Sequence, residues 1–536
     1  MSKIFYPDFF NDVFGPIMQP GSSGGFSGTA RLSFLASKAL KSAPASVRIL
    51  FNPSDRRLKS LGTWMEDRAY LGGLLGMTPE DVGLFEAHEI ARSSGLSYEF
   101  SENASDDGYE LCTTFELTGA DGDTAYVKGA SVGGGMVRLY DVNHFKLNWA
   151  SDTYALLFWG EKKDAEVLLR EAEKIYDLLG DDYIASATVD DGEDRTGFFI
   201  ESSRDFSDIH LNFEYRIFPP VLPVITKNGR KEQLFDNVRD WIRISKEEGL
   251  SFVDTAIKYE ENFSLWSRDK IWAYFERIAD ILDGQIHSLE YVGYENVEET
   301  KELPIYGKNW NVYLNSSPVL TDPLTAHILT HAMSVNAKLP GVLIVPGPMG
   351  TGGGYLFSAL DAVREKMGYD RKKLIEGLIV AAGFGAIAYT RSNPSGERGC
   401  VGESGVCGAM AAAAICQMAG GTPEMVENAA SMSLQSSFGI PCDAIPGGKE
   451  FPCITRNFRV AADAPLYADL ALAGIDPLIP FHEIIDAMEE HYRNTPAHRL
   501  CGPDCGLCMT KAAAKCMDDM AGDYMKGKFK YESGKL

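Results

Sequence analysis

Three cysteines in the C-terminal half could do chemistry. Cys400 lies in Ser395-Gly-Glu-Arg-Gly-Cys400-Val-Gly-Glu-Ser-Gly405, Cys442 in Phe438-Gly-Ile-Pro-Cys442-Asp443, and Cys453 in Phe451-Pro-Cys453-Ile-Thr-Arg-Asn457. Each sits at a Gly- or Pro-marked turn beside polar residues, and such a turn can point a thiolate inward. Thiolates bind iron–sulfur clusters and structural zinc. Three of them on a four-iron cluster leave one iron open, a Lewis acid for a hydroxyl or thiol leaving group. The other reading is three buried structural thiols, and the residues alone leave both open. Cys407 and Cys416, on or beside an Ala-rich helical pattern, and Cys112, in a strand pattern, are expected in the core. Further on, Cys501-Gly-Pro-Asp-Cys505-Gly-Leu-Cys508 is compact enough for a metal, either zinc or a second iron–sulfur site; the other reading is free thiols.

Other groups are less pointed. His327 and His331 are spaced i, i+4 on one helix face and could share a metal, but no acid lies between them in the zincin pattern. Arg456 could hold a carboxylate bidentately or form a structural salt bridge. The loop Pro20-Gly-Ser-Ser-Gly-Gly-Phe-Ser-Gly-Thr-Ala30 runs into a helical pattern, so it is either an anion cradle or a capped flexible turn. The glycines of Ser131-Val-Gly-Gly-Gly135 suggest close backbone approach to a neighbour.

The elements that must position these groups come from 536 residues, enough for several domains. A net charge of −24 argues against nucleic acid or an anionic membrane as main partner. The start Met-Ser-Lys-Ile-Phe-Tyr-Pro-Asp has no signal-peptide pattern, and no uninterrupted apolar run suits a membrane span. Ten cysteines without an export signal point to thiols or metal ligands in the cytoplasm. The expected fold is multidomain α+β: an N-terminal α/β domain over 1–147, a small ACT-like βαββ unit over 148–225, and a mostly α-helical catalytic domain over 231–536. In the middle unit, a strand from Tyr154, a helix over Lys163 to Leu179 and a hairpin across Asp190–Asp194 are expected; 219–230 reads as a linker.

The motifs resemble those of the iron–sulfur-dependent L-serine dehydratases (serine ammonia-lyases). The resemblance covers most of the chain outside the middle unit and the tail. It is carried by the Ser395–Gly405 run, by Gly421-Thr-Pro-Glu-Met-Val-Glu-Asn-Ala-Ala430, by Gly439-Ile-Pro-Cys442-Asp and by Pro452-Cys453-Ile-Thr-Arg-Asn457. In the N-terminal half, Ser131–Gly135 and the Ser/Gly loop carry it. It implies a [4Fe-4S] cluster on Cys400, Cys442 and Cys453. It implies catalytic roles for Ser27 and Glu403, and substrate contacts for Ser22, Ser23, Thr29, Thr351, Ser395 and Arg456. It also allows one of Cys501, Cys505 and Cys508 to reach the open iron at rest. A small-molecule substrate and a homodimer are expected; some members carry an ACT domain after the first domain.

The chain departs from the family where serine would be gripped. A Ser-Ser-Ser-His-Thr run becomes Ser22-Ser23-Gly-Gly-Phe-Ser27-Gly-Thr29, without histidine. A Pro-Thr-Asn-Gly loop becomes Pro346-Gly-Pro-Met-Gly-Thr351-Gly. A Glu-His-Asn becomes Gln435-Ser436-Ser437, and no cysteine ends the tail. The expectation is an iron–sulfur lyase of small β-hydroxy or β-thiol amino or hydroxy acids with a substrate of its own. A cysteine desulfidase and a non-catalytic metal-cluster sensor are the alternatives.

Overall fold

The computed structural model describes residues 4–516 apart from 56, 63–64, 107, 110, 298–305, 349, 351, 446–450 and 501–504. The protein is multidomain and α+β, as expected. Its compact units are Gly21–Arg230 and a helical unit built from Met1–Pro20 with Lys231–Tyr531.

The unit Gly21–Arg230 contains α1 (Thr29–Ser37), β1 (Pro44–Phe51), α2 (Arg57–Ser60), α3 (Glu66–Leu74), α4 (Ala87–Ser93), β2 (Ser97–Glu102), β3 (Cys112–Gly119), β4 (Thr124–Ser131), β5 (Val137–Val142) and β6 (Phe145–Trp149). These strands form one sheet in the order β2-β1-β3-β4-β5-β6. Only β1 and β2 pair in parallel, and the helices between them supply the crossover that a parallel pair requires. Alternate residues Val47, Ile49 and Phe51, with Phe115 and Leu117, face one way and bury Leu32, Leu35, Tyr70, Leu71 and Leu74 of α1 and α3.

The second sheet is built from β7 (Tyr154–Glu161), β8 (Tyr183–Asp190), β9 (Arg195–Ser202) and β10 (Glu214–Phe218), with α5 (Ala165–Leu179) between β7 and β8. Its order is β10-β7-β9-β8, antiparallel throughout. The order strand–helix–strand–strand is the expected one, and β10 is a further edge strand. Leu156, Phe158 and Ile200 face Leu168, Ala172, Ile175 and Leu179 of α5. Ala155, Leu157, Trp159, Phe199 and Phe218 turn the other way and join the core of the first sheet. Because β7 is apolar on both faces, both must be covered. The expected boundary at 147/148 therefore falls inside a shared core, and the two sheets make one unit.

The helical unit contains α6 (Val238–Glu248), α7 (Phe252–Ser264), α8 (Arg268–Ile286), α9 (Ser288–Val292), α10 (Tyr306–Ser316), α11 (Pro323–Ala337), α12 (Gly352–Met367), α13 (Arg371–Arg391), α14 (Val406–Met418), α15 (Pro423–Gln435), α16 (Cys453–Leu472) and α17 (Phe481–Asn494). Asn237, Asp322, Asp370 and Thr422 cap their helices by accepting a backbone N–H of the first turn. Nearly every residue of α14 is buried, and α12, α13, α15 and α16 pack around it. The segments Arg371–Arg391 and Val401–Met418 are long and apolar enough to cross a membrane, but protein covers 78% and 89% of their apolar windows. They are the central helices of this unit, apolar all round because they are packed all round.

Residues 1–20 belong here and not to the 1–147 domain expected from the sequence. Phe9 stacks on Tyr259 with ring centroids 5.3 Å apart, and Phe10 stacks on Trp266 at 5.4 Å. The Phe9 amide donates to Glu260 at 2.9 Å, and Met18 bridges to Ile344. A single aromatic-rich segment has no period to reveal its partners, which are helices more than 200 residues away.

Candidate functional site

Cys400 immediately precedes a π-helical turn, Val401–Gly405, that leads into α14. Cys453 opens α16, which starts eight residues before the Ala461 expected from periodicity. Cys442 lies on the loop after α15. That loop is fastened to the Cys400 turn: the Val401 amide donates to the Ile440 carbonyl at 3.3 Å. Gly399 has φ +89°, and a Cβ there would come within 2.5 Å of the same carbonyl, so the close approach requires glycine.

Cys400 and Cys453 are hydrogen-bonded to each other, and Arg456 bonds and charge-stabilises the Cys400 sulfur. Ser404 Oγ is 3.0 Å from that sulfur. The Cys453 contact is the largest influence; together with Ser404 and Arg456 it outweighs burial and lowers the Cys400 thiol from 9.0 to about 6. The shift favours the thiolate, the form that binds metal. Cys407 and Cys416 behave oppositely: burial pushes both thiols up to about 12. They are core residues, and Cys407 donates to the Gly352 carbonyl at 3.2 Å. Cys112 is fully buried in β3.

Other expected site residues gather around the same turn. A Cβ on Gly396 would lie 3.0 Å from Cys442 Sγ and 3.6 Å from Glu403 Oε1, so thiol and carboxylate flank one backbone position. Ser395 is buried, and its Oγ has no hydrogen-bond partner among the described residues. Arg456 takes the salt-bridge role: its Nη1 donates to Asp443 at 2.6 Å and to the Pro441 carbonyl at 2.8 Å. The turn carrying Cys505 and Cys508 docks on the Cys442 loop. Cys508 Sγ donates to the Asp443 carbonyl at 2.9 Å, and the Leu507 amide to Asp443 Oδ2 at 2.7 Å. Cys505 Sγ donates to the Arg499 carbonyl at 2.9 Å. Thr351 and Cys501 lie outside the described residues.

In the unit Gly21–Arg230, Ser22 Oγ accepts the Gly25 amide at 3.1 Å and starts a π-helical turn, Ser23–Gly28, which runs into α1 at Thr29. Ser23 and Thr29 are buried, and Ser27 Oγ is buried with no partner among the described residues. Ser131 Oγ donates to the Gly24 carbonyl at 2.9 Å, and Arg31 Nη1 to the Gly135 carbonyl at 2.7 Å. A Cβ on Gly28 would sit 2.1 Å from Ser131 Oγ. This is the close approach expected of the 131–135 segment. Beside the loop stands Glu66, whose Oε1 would be 2.9 Å from a Cβ on Gly25. Burial raises its carboxyl to about 7, opposed by Arg57 and aided by Asp67. Nothing in the sequence marks Glu66, since a first-turn acid on a helix is ordinarily a solvated helix-end charge.

Residues 247–499 match a family profile described as serine dehydratase alpha chain. The chain is 33% identical over 264 residues to a protein named probable L-serine dehydratase, alpha chain, of Bacillus subtilis, a match covering 48% of this chain and 85% of that one. It is 30% identical over 261 residues to the L-serine dehydratase alpha chain of Peptoniphilus asaccharolyticus, covering 48% and 88%. A shorter match to the L-serine dehydratase of Mycobacterium tuberculosis is 41% identical over 114 residues, covering 21% and 24%. The first two matches take in most of each relative, and the profile spans the cysteine turns and the helices that hold them. The chain belongs to the serine dehydratase alpha-chain family, enzymes of the carbon–oxygen lyase class.

Proposed function

We propose that Cys400, Cys442 and Cys453 hold a [4Fe-4S] cluster, and that the chain is a lyase acting on a small β-hydroxy or β-thiol amino or hydroxy acid. The observation that carries this reading is the gathering of the cysteine turns: Cys400 contacts Cys453 and Ser404, and the Val401 amide fastens its turn to the Cys442 loop. The donor set fits the cofactor: sulfur ligands on two fastened turns, one of them shifted toward the thiolate. When bound, such a cluster would supply an open iron as Lewis acid for the departing hydroxyl or thiol.

The remaining roles belong to the chain's own groups. Arg456, tied to Asp443, favours the Cys400 thiolate and joins the Cys442 loop to α16. Ser395 Oγ, buried and unsatisfied, offers a hydrogen bond to a polar group of the substrate. Glu403, beside Gly396 with Cys442, is suited to proton traffic there. In the other unit, the loop of Ser22, Ser23, Ser27 and Thr29 is suited to binding an anionic group, with Glu66 as a group able to exchange a proton near neutrality. Cys505 or Cys508 would serve as the ligand at rest. The β7-α5-β8-β9 sheet would be an ACT-like regulatory module, and a cytoplasmic homodimer the working form.

The test is iron and acid-labile sulfide analysis of anaerobically purified protein, followed by assay of L-serine and a panel of other β-hydroxy, β-thiol and β-sulfonate acids. About four irons and four sulfides per chain are expected for one cubane, with keto acid and ammonia formed from at least one acid. Sulfide release from a thiol would move the reading to a desulfidase. Zinc alone, or a cluster with no turnover on any acid, would overturn it in favour of a sensor.

A further inference from the structure

Away from the cysteines, three helices of the same unit meet at a buried polar corner. His287 caps the C-terminal end of α8, His331 lies on α11, and Asp361 on α12. Each offers one ligand atom, and these atoms lie within 4.8 Å of one another. His331 and Asp361 are only 4% and 1% exposed. Asp361 Oδ2 is buried with no hydrogen-bond partner among the described residues, and the Ser358 backbone hydrogen-bonds the His331 ring. A buried unsatisfied polar atom costs about 1–3 kcal/mol. One at Asp361, facing a partly open histidine, needs an explanation.

The surroundings have the form of outer-shell support. His287 Nδ1 donates to the Asp283 carbonyl at 3.0 Å, which leaves its Nε2 lone pair available. Asp361 Oδ1 accepts from Arg364 Nε at 2.6 Å, which fixes the carboxylate and leaves Oδ2 to face inward. His331 Nε2 meets His327 Nε2 at 3.0 Å, and His327 stands 3.4 Å from Glu365 at the surface. Metal-binding histidines and carboxylates characteristically have such second partners, which set tautomer and orientation. The pairing differs from the sequence-level one. His327 and His331 bond to each other, and the partners of His331 come from two other helices.

We propose that His287, His331 and Asp361 form a site for a divalent first-row transition metal of the zinc class, separate from the cysteine centre. Two imidazoles and one carboxylate are hard-to-borderline donors suited to such an ion, with water completing the coordination. The ion would satisfy the buried Asp361 oxygen and tie α8, α11 and α12 together. His287, with a side chain 18% exposed, gives it a way in.

The test uses the full chain, stripped of loosely bound metal with a chelator and then given zinc or cobalt(II). After desalting, wild type is expected to keep one zinc more per chain than His287→Ala or Asp361→Asn, whose affinity falls more than about 10-fold. His287→Ala alters a partly exposed residue and guards against the chance that Asp361→Asn does not fold. Cobalt is expected to show visible d–d bands without thiolate charge transfer. Both variants should keep the iron and sulfide content of wild type. Equal zinc retention in wild type and both variants would overturn the proposal, as would a cobalt spectrum of sulfur ligation alone.

Discussion

Cys400 and Cys407 are seven residues apart, yet one thiol is lowered to about 6 and the other is raised to about 12. The first sits in a polar turn where Cys453, Ser404 and Arg456 stabilise its anion. The second is enclosed by apolar helices that can stabilise only its neutral form. Burial is nearly the same, 2% exposure for each, so burial does not separate a reactive cysteine from an inert one. The partners of the sulfur separate them.

That contrast can be broken first at Cys400. Cys400→Ser is expected to lose the iron of anaerobically purified protein, and with it all lyase activity, while Cys407→Ala keeps both. Iron retained by Cys400→Ser would mean that the acidic thiol is not a ligand.

Glu66 extends the comparison to a group for which burial does prevail. Its carboxyl is raised from 4.5 to about 7, so the folded state favours the protonated form. The associated stability is fully present below about pH 4.5 and is lost as pH rises through about 7. Glu66→Gln should therefore raise the thermal midpoint at pH 8, by a stability gain of up to roughly 3 kcal/mol, and give no such gain at pH 4. An equal effect at both pH values would show that the carboxyl is not shifted. Next in size, Arg456→Gln removes the guanidinium from the Cys400 sulfur. Iron affinity is expected to fall roughly 10- to 100-fold, measured by chelator competition. An unchanged affinity would assign Arg456 to holding Asp443 alone.

The smallest effect is expected at Cys407. Replacing it with Ala deletes one hydrogen bond to Gly352 and leaves a small void, a cost of about 1–2 kcal/mol in denaturant unfolding. If that variant also lost iron, the contrast between the two cysteines would fail.

Much of this was legible in residue order. The βαββ order was marked by periodicity, and the three cysteine turns by Gly and Pro. The acid loop Asp190–Asp194 was legible as a hairpin because its flanking strands alternate. Residues 1–20 were misassigned, and Glu66 and the partners of His331 were missed. Their significance lies in contacts made over tens or hundreds of residues, which no local period records.

Residue types and spacing were enough to place three cysteines at turns, because a turn and a sulfur are local facts. Which thiol is shifted toward ionisation depended on bringing Cys453, and with it Ser404 and Arg456, to Cys400. Which histidine gains metal-binding partners depended on packing α8, α11 and α12 together. A pKa and a ligand sphere are sums over neighbours in space, and folding chooses those neighbours.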